Sequence, residues 1–338
     1  MAHIKVAVLV AGSWGSALAG VLADNGYEVM LWTRNEQQAQ DVNASRMSKG
    51  FRMPPNVKAT SSMAEALRHS KMAVVAAPSS AMRQVAALMR PHLSSDTLIV
   101  HAAKGFEAIT LKRMSVVLAE ELPSYPKERI VVLSGPSHAE EVARHCPTTV
   151  VVAAESKEAS ESAQRLLMNH YFRVYTNADV TGVEISGSLK NIIALGAGLS
   201  DGLGFGDNAK AALITRGLAE ISRLGMAMGA NPLTFAGLAG VGDLVVTCTS
   251  RHSRNWRAGY LLAQGKPLQT VLTEVGMVVE GVKTTQAAFA LSSRYGVTMP
   301  ITRELYLVLF ENKLPLTAVR ELMNRDRAQE WEGMDLPE

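Results

Sequence analysis

Two residues in apolar surroundings are the best placed in this 338-residue chain to move a proton. Lys190 lies in Val183-Glu-Ile-Ser-Gly-Ser-Leu-Lys-Asn-Ile-Ile-Ala-Leu195, an apolar helical pattern that also holds Asn191. Partial burial there disfavours the charged lysine and lowers its pKa, which fits it to exchange a proton with a carbonyl or hydroxyl oxygen near neutral pH. A lysine stem on an apolar surface with its head in water also fits. Gly240-Val-Gly-Asp-Leu-Val-Val-Thr-Cys-Thr249 opens a second helix after glycines, and Asp243 and Thr247 share its face. The acid can hold the lysine or a substrate hydroxyl, and the threonine can donate to substrate. Alternatively, Asp243 is a first-turn cap.

Ser250-Arg-His-Ser-Arg-Asn-Trp-Arg257 gathers arginines, a histidine and small polar donors, a set that suits an anionic group and above all a phosphate. A solvated loop is the other reading. The cluster is short and isolated in a charge-balanced chain, which argues against nucleic acid. His101, His138 and His252 lie near strand ends or this cluster, and spacing makes none of them a base.

A third chemical feature is near the start. The apolar run Ile4 to Val10 enters a turn holding Gly12 and Gly15, and the helical pattern Ser16 to Ala23 follows. Strand, glycine turn and helix in that order present free N–H groups and a helix dipole to a dinucleotide's pyrophosphate. The G-x-G-x-x-G pattern is incomplete, because Val10 stands at its first glycine. The second strand, Tyr27 to Trp32, ends in Thr33-Arg34-Asn35, without the acid that selects a ribose 2′-hydroxyl. A 2′-phosphate is not repelled there, and Arg34 can pair with it. The expected cofactor is NADP(H), NAD(H) or both.

These residues need elements to hold them. Further strands are expected at Met72–Ala77, Thr97–Ala102, Ile130–Leu133, Thr149–Ala153 and Phe172–Tyr175, alternating with helices, and Phe51–Asn56 reads as a loop. The fold expected is α/β: an N-terminal Rossmann-like, doubly wound, mainly parallel sheet over 1–181, then a C-terminal all-α domain over 182–338. Gly202-Leu-Gly-Phe-Gly206 reads as an interhelical loop, and the tail after Met323 as charged and loosely held. Pro78, Lys104 and Gly135 to Ser137 fall at carboxyl ends of strands, where such sheets bind ligands.

Composition sets the outer limits. Lys+Arg 34 against Asp+Glu 31 points to neither nucleic acid nor a membrane surface. The two cysteines, Cys146 and Cys248, suit neither a disulfide scaffold nor a metal site, so a reducing, cytoplasmic setting is expected. Met1 to Lys5 lacks a signal-peptide plan, and apolar stretches break short of a membrane span, so no membrane insertion is expected.

Taken in order, Gly12-Ser-Trp-Gly15, Ser134-Gly-Pro-Ser-His-Ala-Glu140, Leu189-Lys-Asn-Ile-Ile-Ala-Leu195, Gly240-Val-Gly-Asp243, Ser253-Arg-Asn255 and Val279-Glu-Gly281 resemble the bacterial NAD(P)-dependent glycerol-3-phosphate dehydrogenases. The resemblance runs to about Met323 and implies reversible reduction of dihydroxyacetone phosphate to sn-glycerol 3-phosphate, a precursor for phospholipid synthesis. It implies Lys190 as the catalytic proton donor and acceptor. It implies Lys104, Gly135, Ser137, Lys190, Asn191, Asp243, Thr247, Ser253, Arg254 and Asn255 as substrate residues. Gly12, Ser13, Trp14, Gly15, Arg34, Lys104, Ala139, Arg254, Val278 and Glu280 become cofactor residues. Val10 and Ser188 depart from the family pattern. The family is commonly dimeric, so a homodimer is expected.

The expected mechanism is hydride transfer to the carbonyl carbon, with Lys190 protonating or stabilising the oxygen and Arg254 gripping the phosphate. The site is expected in a cleft between the domains, with no metal. Two rivals stand: a related hydroxy-acid dehydrogenase, and an inactive NADP(H)-sensing protein whose site Val10 has spoiled.

Overall fold

The computed structural model describes residues 4–276, 278–327 and 329–330. Met1 to His3 and the end of the charged tail, 331–338, lie outside them. The strands are β1 (Lys5–Leu9), β2 (Glu28–Trp32), β3 (Met47–Ser48), β4 (Phe51–Arg52), β5 (Val57–Thr60), β6 (Met72–Val75), β7 (Leu98–His101), β8 (Ile130–Ser134), β9 (Thr148–Ala153) and β10 (Phe172–Asn177). The chain divides into two compact units, Met1–Glu184 and Ile185–Glu338, within the helix Val180–Gly202.

In the first unit an 8-stranded sheet runs β10-β9-β8-β7-β6-β1-β2-β5. From β5 to β8 every pairing is parallel and the order is that of the doubly wound dinucleotide fold. The order reverses between β1 and β6, so the crevice beyond their carboxyl ends is where the fold binds ligands. β1 is apolar from Val6 to Leu9 because both faces are covered there. Val6 and Val8 pack with Leu18 and Leu22 of the first helix, whereas Ala7 and Leu9 pack with Met82 and Leu118 on the other face.

The sheet is mainly parallel as expected; one expectation needed correcting and two details carried no sequence signal. β9 joins β8 antiparallel, with β10 parallel to it, and the connection from β8 to β9 holds only the four-residue helix Ala139–Val142. Phe51 and Arg52 are not loop: they pair with Ser48 and Met47 as a short hairpin. β5, which the sequence reading missed, is the edge strand beside β2. The two-residue strands carry no alternation, and β5 buries both Ala59 and Thr60 and so breaks it.

The second unit is helical. It contains the helices Asp207–Ala227, Arg254–Ala263, Glu280–Tyr295 and Pro300–Phe310, with no strand among its described residues. Glycines let two helices meet backbone to backbone: a Cβ on Gly259 would stand 1.9 Å from the Leu195 carbonyl oxygen. This brings Arg254–Ala263 against the helix that carries Lys190. The stretch Pro232–Thr249 is apolar and long enough to cross a membrane by length and composition, but its backbone breaks at Gly240 and it buries Asp243. Elsewhere, buried Glu220 accepts the N–H groups of Ile301 and Thr302 that open the helix Pro300–Phe310. Burial pushes its carboxyl up to about 7.

Candidate active site

The glycine turn follows β1 and opens the helix Ser13–Asp24. Val10 takes φ 81°, the left-handed backbone that glycine adopts freely and a β-branched residue adopts only under strain. The turn is nonetheless closed: Gly12 donates to the Val10 carbonyl at 2.8 Å, and Val10 donates to Trp32 at 3.0 Å. Gly15 is obligatory, because a Cβ there would stand 2.2 Å from the Val10 oxygen. Around Gly12 nothing lies within 4 Å of where a Cβ would be. No side chain caps the helix start and no acid occupies its first turn. Open space before uncapped N–H groups fits a pyrophosphate.

The neighbouring strand ends supply the rest of this unit's candidates. Arg34 is exposed beyond β2, while Gln38 bonds Thr33 and the Ala11 carbonyl, fixing that strand end to the glycine turn. Lys104 donates to the Gly135 carbonyl at 3.3 Å and Ser137 donates to the same oxygen at 2.9 Å, so the three sequence candidates form one cluster. Ala139 opens the short helix Ala139–Val142. His101 is buried with its Nε2 3.2 Å from Glu184, and Arg113 and Ser115 also hold that carboxylate. Burial opposes ionisation of Glu184, but His101, Arg113 and Ser115 outweigh it and hold the carboxyl at about 2. Neither Arg113 nor Ser115 carried a sequence signal.

In the second unit Lys190 is 6% exposed and its Nζ donates to Asp243 and, at 2.7 Å, to Thr247. The carboxylate supplies the counter-charge that a buried ammonium requires. Thr247 gives its own hydroxyl hydrogen to the Asp243 carbonyl, so its oxygen is left to accept from the lysine. Cys248 lies beside them, its thiol pushed up to about 12 by burial. Asn191 and Asn255 are paired at 2.9 Å, and Asn255 also accepts the Gly281 N–H at 2.8 Å. Ser253 caps the helix Arg254–Ala263, accepting from Trp256, and Arg254 stands exposed at its start. Val278 is exposed before the helix Glu280–Tyr295, and Glu280 is that helix's first residue. Among the described residues no group of His, Cys, Asp and Glu is placed to hold a metal.

Each half of the chain matches a model of one family. Residues 5–160 match the N-terminal model of NAD-dependent glycerol-3-phosphate dehydrogenase, and residues 179–320 match its C-terminal model. The chain belongs to this family.

Curated family members agree over their whole length. A protein of Lysinibacillus sphaericus named glycerol-3-phosphate dehydrogenase [NAD(P)+] is 56% identical, covering 98% of this chain and 99% of the relative. One of the same name from Bacillus subtilis is 53% identical, covering 98% and 97%. The crystal structure of a glycerol-3-phosphate dehydrogenase from Coxiella burnetii matches with a TM-score of 0.90 at 38% identity, over 96% of this chain and 99% of that one. The chain is thus a Rossmann-fold oxidoreductase of an NAD(P)-dependent dehydrogenase family, and the open turn at Gly12 is where its own residues fit that cofactor.

Proposed function

We propose that the protein interconverts dihydroxyacetone phosphate and sn-glycerol 3-phosphate, using NADPH or NADH, and so supplies the backbone of phospholipids. The buried Lys190–Asp243 pair carries the reading, because it keeps a proton donor out of water at a fixed position. When bound, the nicotinamide supplies the hydride that the carbonyl carbon accepts. Lys190 donates its proton to the carbonyl oxygen as charge builds there. Asp243 and Thr247 hold the ammonium on that line.

Arg254 takes the phosphate, which fixes the far carbonyl, while Asn191, Ser253 and Asn255 stand with it as substrate residues. Lys104, Gly135 and Ser137 are further substrate residues in this reading. The cofactor residues are Gly12, Ser13, Trp14, Gly15, Arg34, Lys104, Ala139, Arg254, Val278 and Glu280. The reading includes a cytoplasmic homodimer, for which light scattering after gel filtration is the check; the free thiols of Cys146 and Cys248 agree with a reducing compartment.

The test is oxidation of NADPH and NADH, in parallel, by dihydroxyacetone phosphate and by small keto acids. Turnover with the phosphorylated ketone alone is expected. Turnover with keto acids instead makes the chain a hydroxy-acid dehydrogenase. Tight NADPH binding with no turnover makes it a sensor.

A further inference from the structure

Glu184 holds both ends of one loop. Strand β7 ends at His101, the helix Met114–Glu121 starts after Arg113, and the loop 102–113 between them carries Lys104. At the strand end, His101 Nε2 lies 3.2 Å from Glu184 Oε1. At the helix end, the Ser115 N–H donates to the same oxygen at 2.8 Å, while Arg113 and, at 2.6 Å, the Ser115 hydroxyl donate to Oε2. One carboxylate, 69 residues beyond Ser115 in sequence, thus closes the loop at its base.

His101 is 0% and Glu184 5% exposed, so water does not readily replace a bond lost there. The helix Met114–Glu121 has no side-chain cap at Arg113, and Glu184, reaching from another helix, takes its orphan Ser115 N–H. Farther out the loop closes on itself: Phe106 and Arg113 form a β-bridge, and Glu107 donates its N–H to the Lys112 carbonyl at 3.0 Å. Between the hold at His101 and the bridge at Phe106 lies Ala102-Ala-Lys-Gly105, in which Lys104 is the charged residue and donates to Gly135.

We infer that Glu184 is a positioning residue: by fastening both ends of the loop 102–113 it sets where the Lys104 ammonium stands. This rests on the reading above, in which Lys104 meets cofactor and substrate. Glu184 acts on both ligands through that lysine. A short stretch tied at both ends has few backbone states. Freed at either end it gains more, and the ammonium spends less of its time where an anionic ligand meets it.

The test is a double-mutant cycle in the full-length protein, with Glu184→Gln, Lys104→Ala and both. Glutamine keeps the shape of the side chain but puts an NH2 donor where one of two acceptors stood. kcat/KM for dihydroxyacetone phosphate is measured for each, and the NADPH Kd without substrate is measured by fluorescence. Glu184→Gln is expected to lower kcat/KM by about 10- to 100-fold while Lys104 is present, and by no more than about 2-fold in the Lys104→Ala background. The NADPH Kd should rise by about 3- to 10-fold in Glu184→Gln while Lys104 is present and stay within about 2-fold once Lys104 is alanine.

Losses that multiply in the double variant would show that Glu184 acts elsewhere and would overturn the inference. A merely structural carboxylate gives that result, because its loss does not depend on residue 104. Should Glu184→Gln not fold, Arg113→Met takes its place in the cycle. The Arg113 side chain is 21% exposed, and its removal frees one end of the loop while Ser115 keeps its bonds to the carboxylate. Arg113→Met should lower kcat/KM by about 3- to 10-fold where Lys104 is present and leave it within about 2-fold where it is not. Unchanged kcat/KM, or an equal loss in both backgrounds, would sink the inference. An inactive wild-type enzyme refutes the proposed reaction instead, and the NADPH cycle still decides the part played by Glu184.

Discussion

Lys190 and Asp243, 53 residues apart, form an ion pair whose side chains are 7% and 2% exposed. A pair this dry holds a proton donor ready without leaving a bare charge in the core.

Lys190→Ala is expected to lower turnover by about 10²- to 10⁴-fold while NADPH binding stays nearly intact. Steady-state rates and a fluorescence titration check both halves. Full turnover would remove the lysine from its role. Asp243→Ala should also cost folding stability, about 3–5 kcal/mol, because it leaves the ammonium buried alone.

Arg254 stands exposed at the start of a helix, where its charge meets the positive end of the dipole. An anion relieves both. Arg254→Ala is therefore expected to raise KM for the phosphorylated substrate by about 10- to 100-fold, with kcat less affected. If cofactor affinity alone changed, the phosphate assignment would be wrong.

Val10 pays for its left-handed backbone. Val10→Gly relieves about 1–3 kcal/mol of strain and returns roughly 0.5–1 kcal/mol as unfolded-state entropy. The expected result is a Tm higher by about 1–3 °C and an NADPH Kd equal to or below that of the wild type. A lower Tm would show that the valine side chain contributes more packing than its backbone loses.

Glu220 predicts a pH effect. Its ordinary value is 4.5 and burial raises it to about 7 in the fold. Between those values the folded chain keeps a proton that the unfolded chain has released, so stability falls as pH rises through that window. The loss is on the order of 3 kcal/mol. Glu220→Gln should flatten the decline in urea midpoint between pH 5 and pH 8. An unchanged slope would place the titrating group elsewhere.

The sequence spoke most clearly where one residue type has one physical use. Apolar runs such as β1 and β6 are legible because a strand covered on both faces has no polar alternation. Gly15 is legible because no Cβ fits beside Val10. Strand direction left no mark, so the antiparallel β9 went unseen. The lysine's partner was visible only as a possibility, since spacing along a helix says which residues share a face and not what faces them. Glu184 with His101, Arg113 and Ser115, and Asn255 with Gly281, are tertiary meetings with no local pattern.

The helix start after Gly12 offers main-chain N–H groups, whereas the candidate substrate groups of the second unit are side chains. Main-chain donors survive most substitutions, which is how a valine can occupy a glycine's place and leave the loop closed. Side-chain donors have no such tolerance. On the proposed reading, changes at Arg34 are expected to retune cofactor preference while the residues around Lys190 stay as they are.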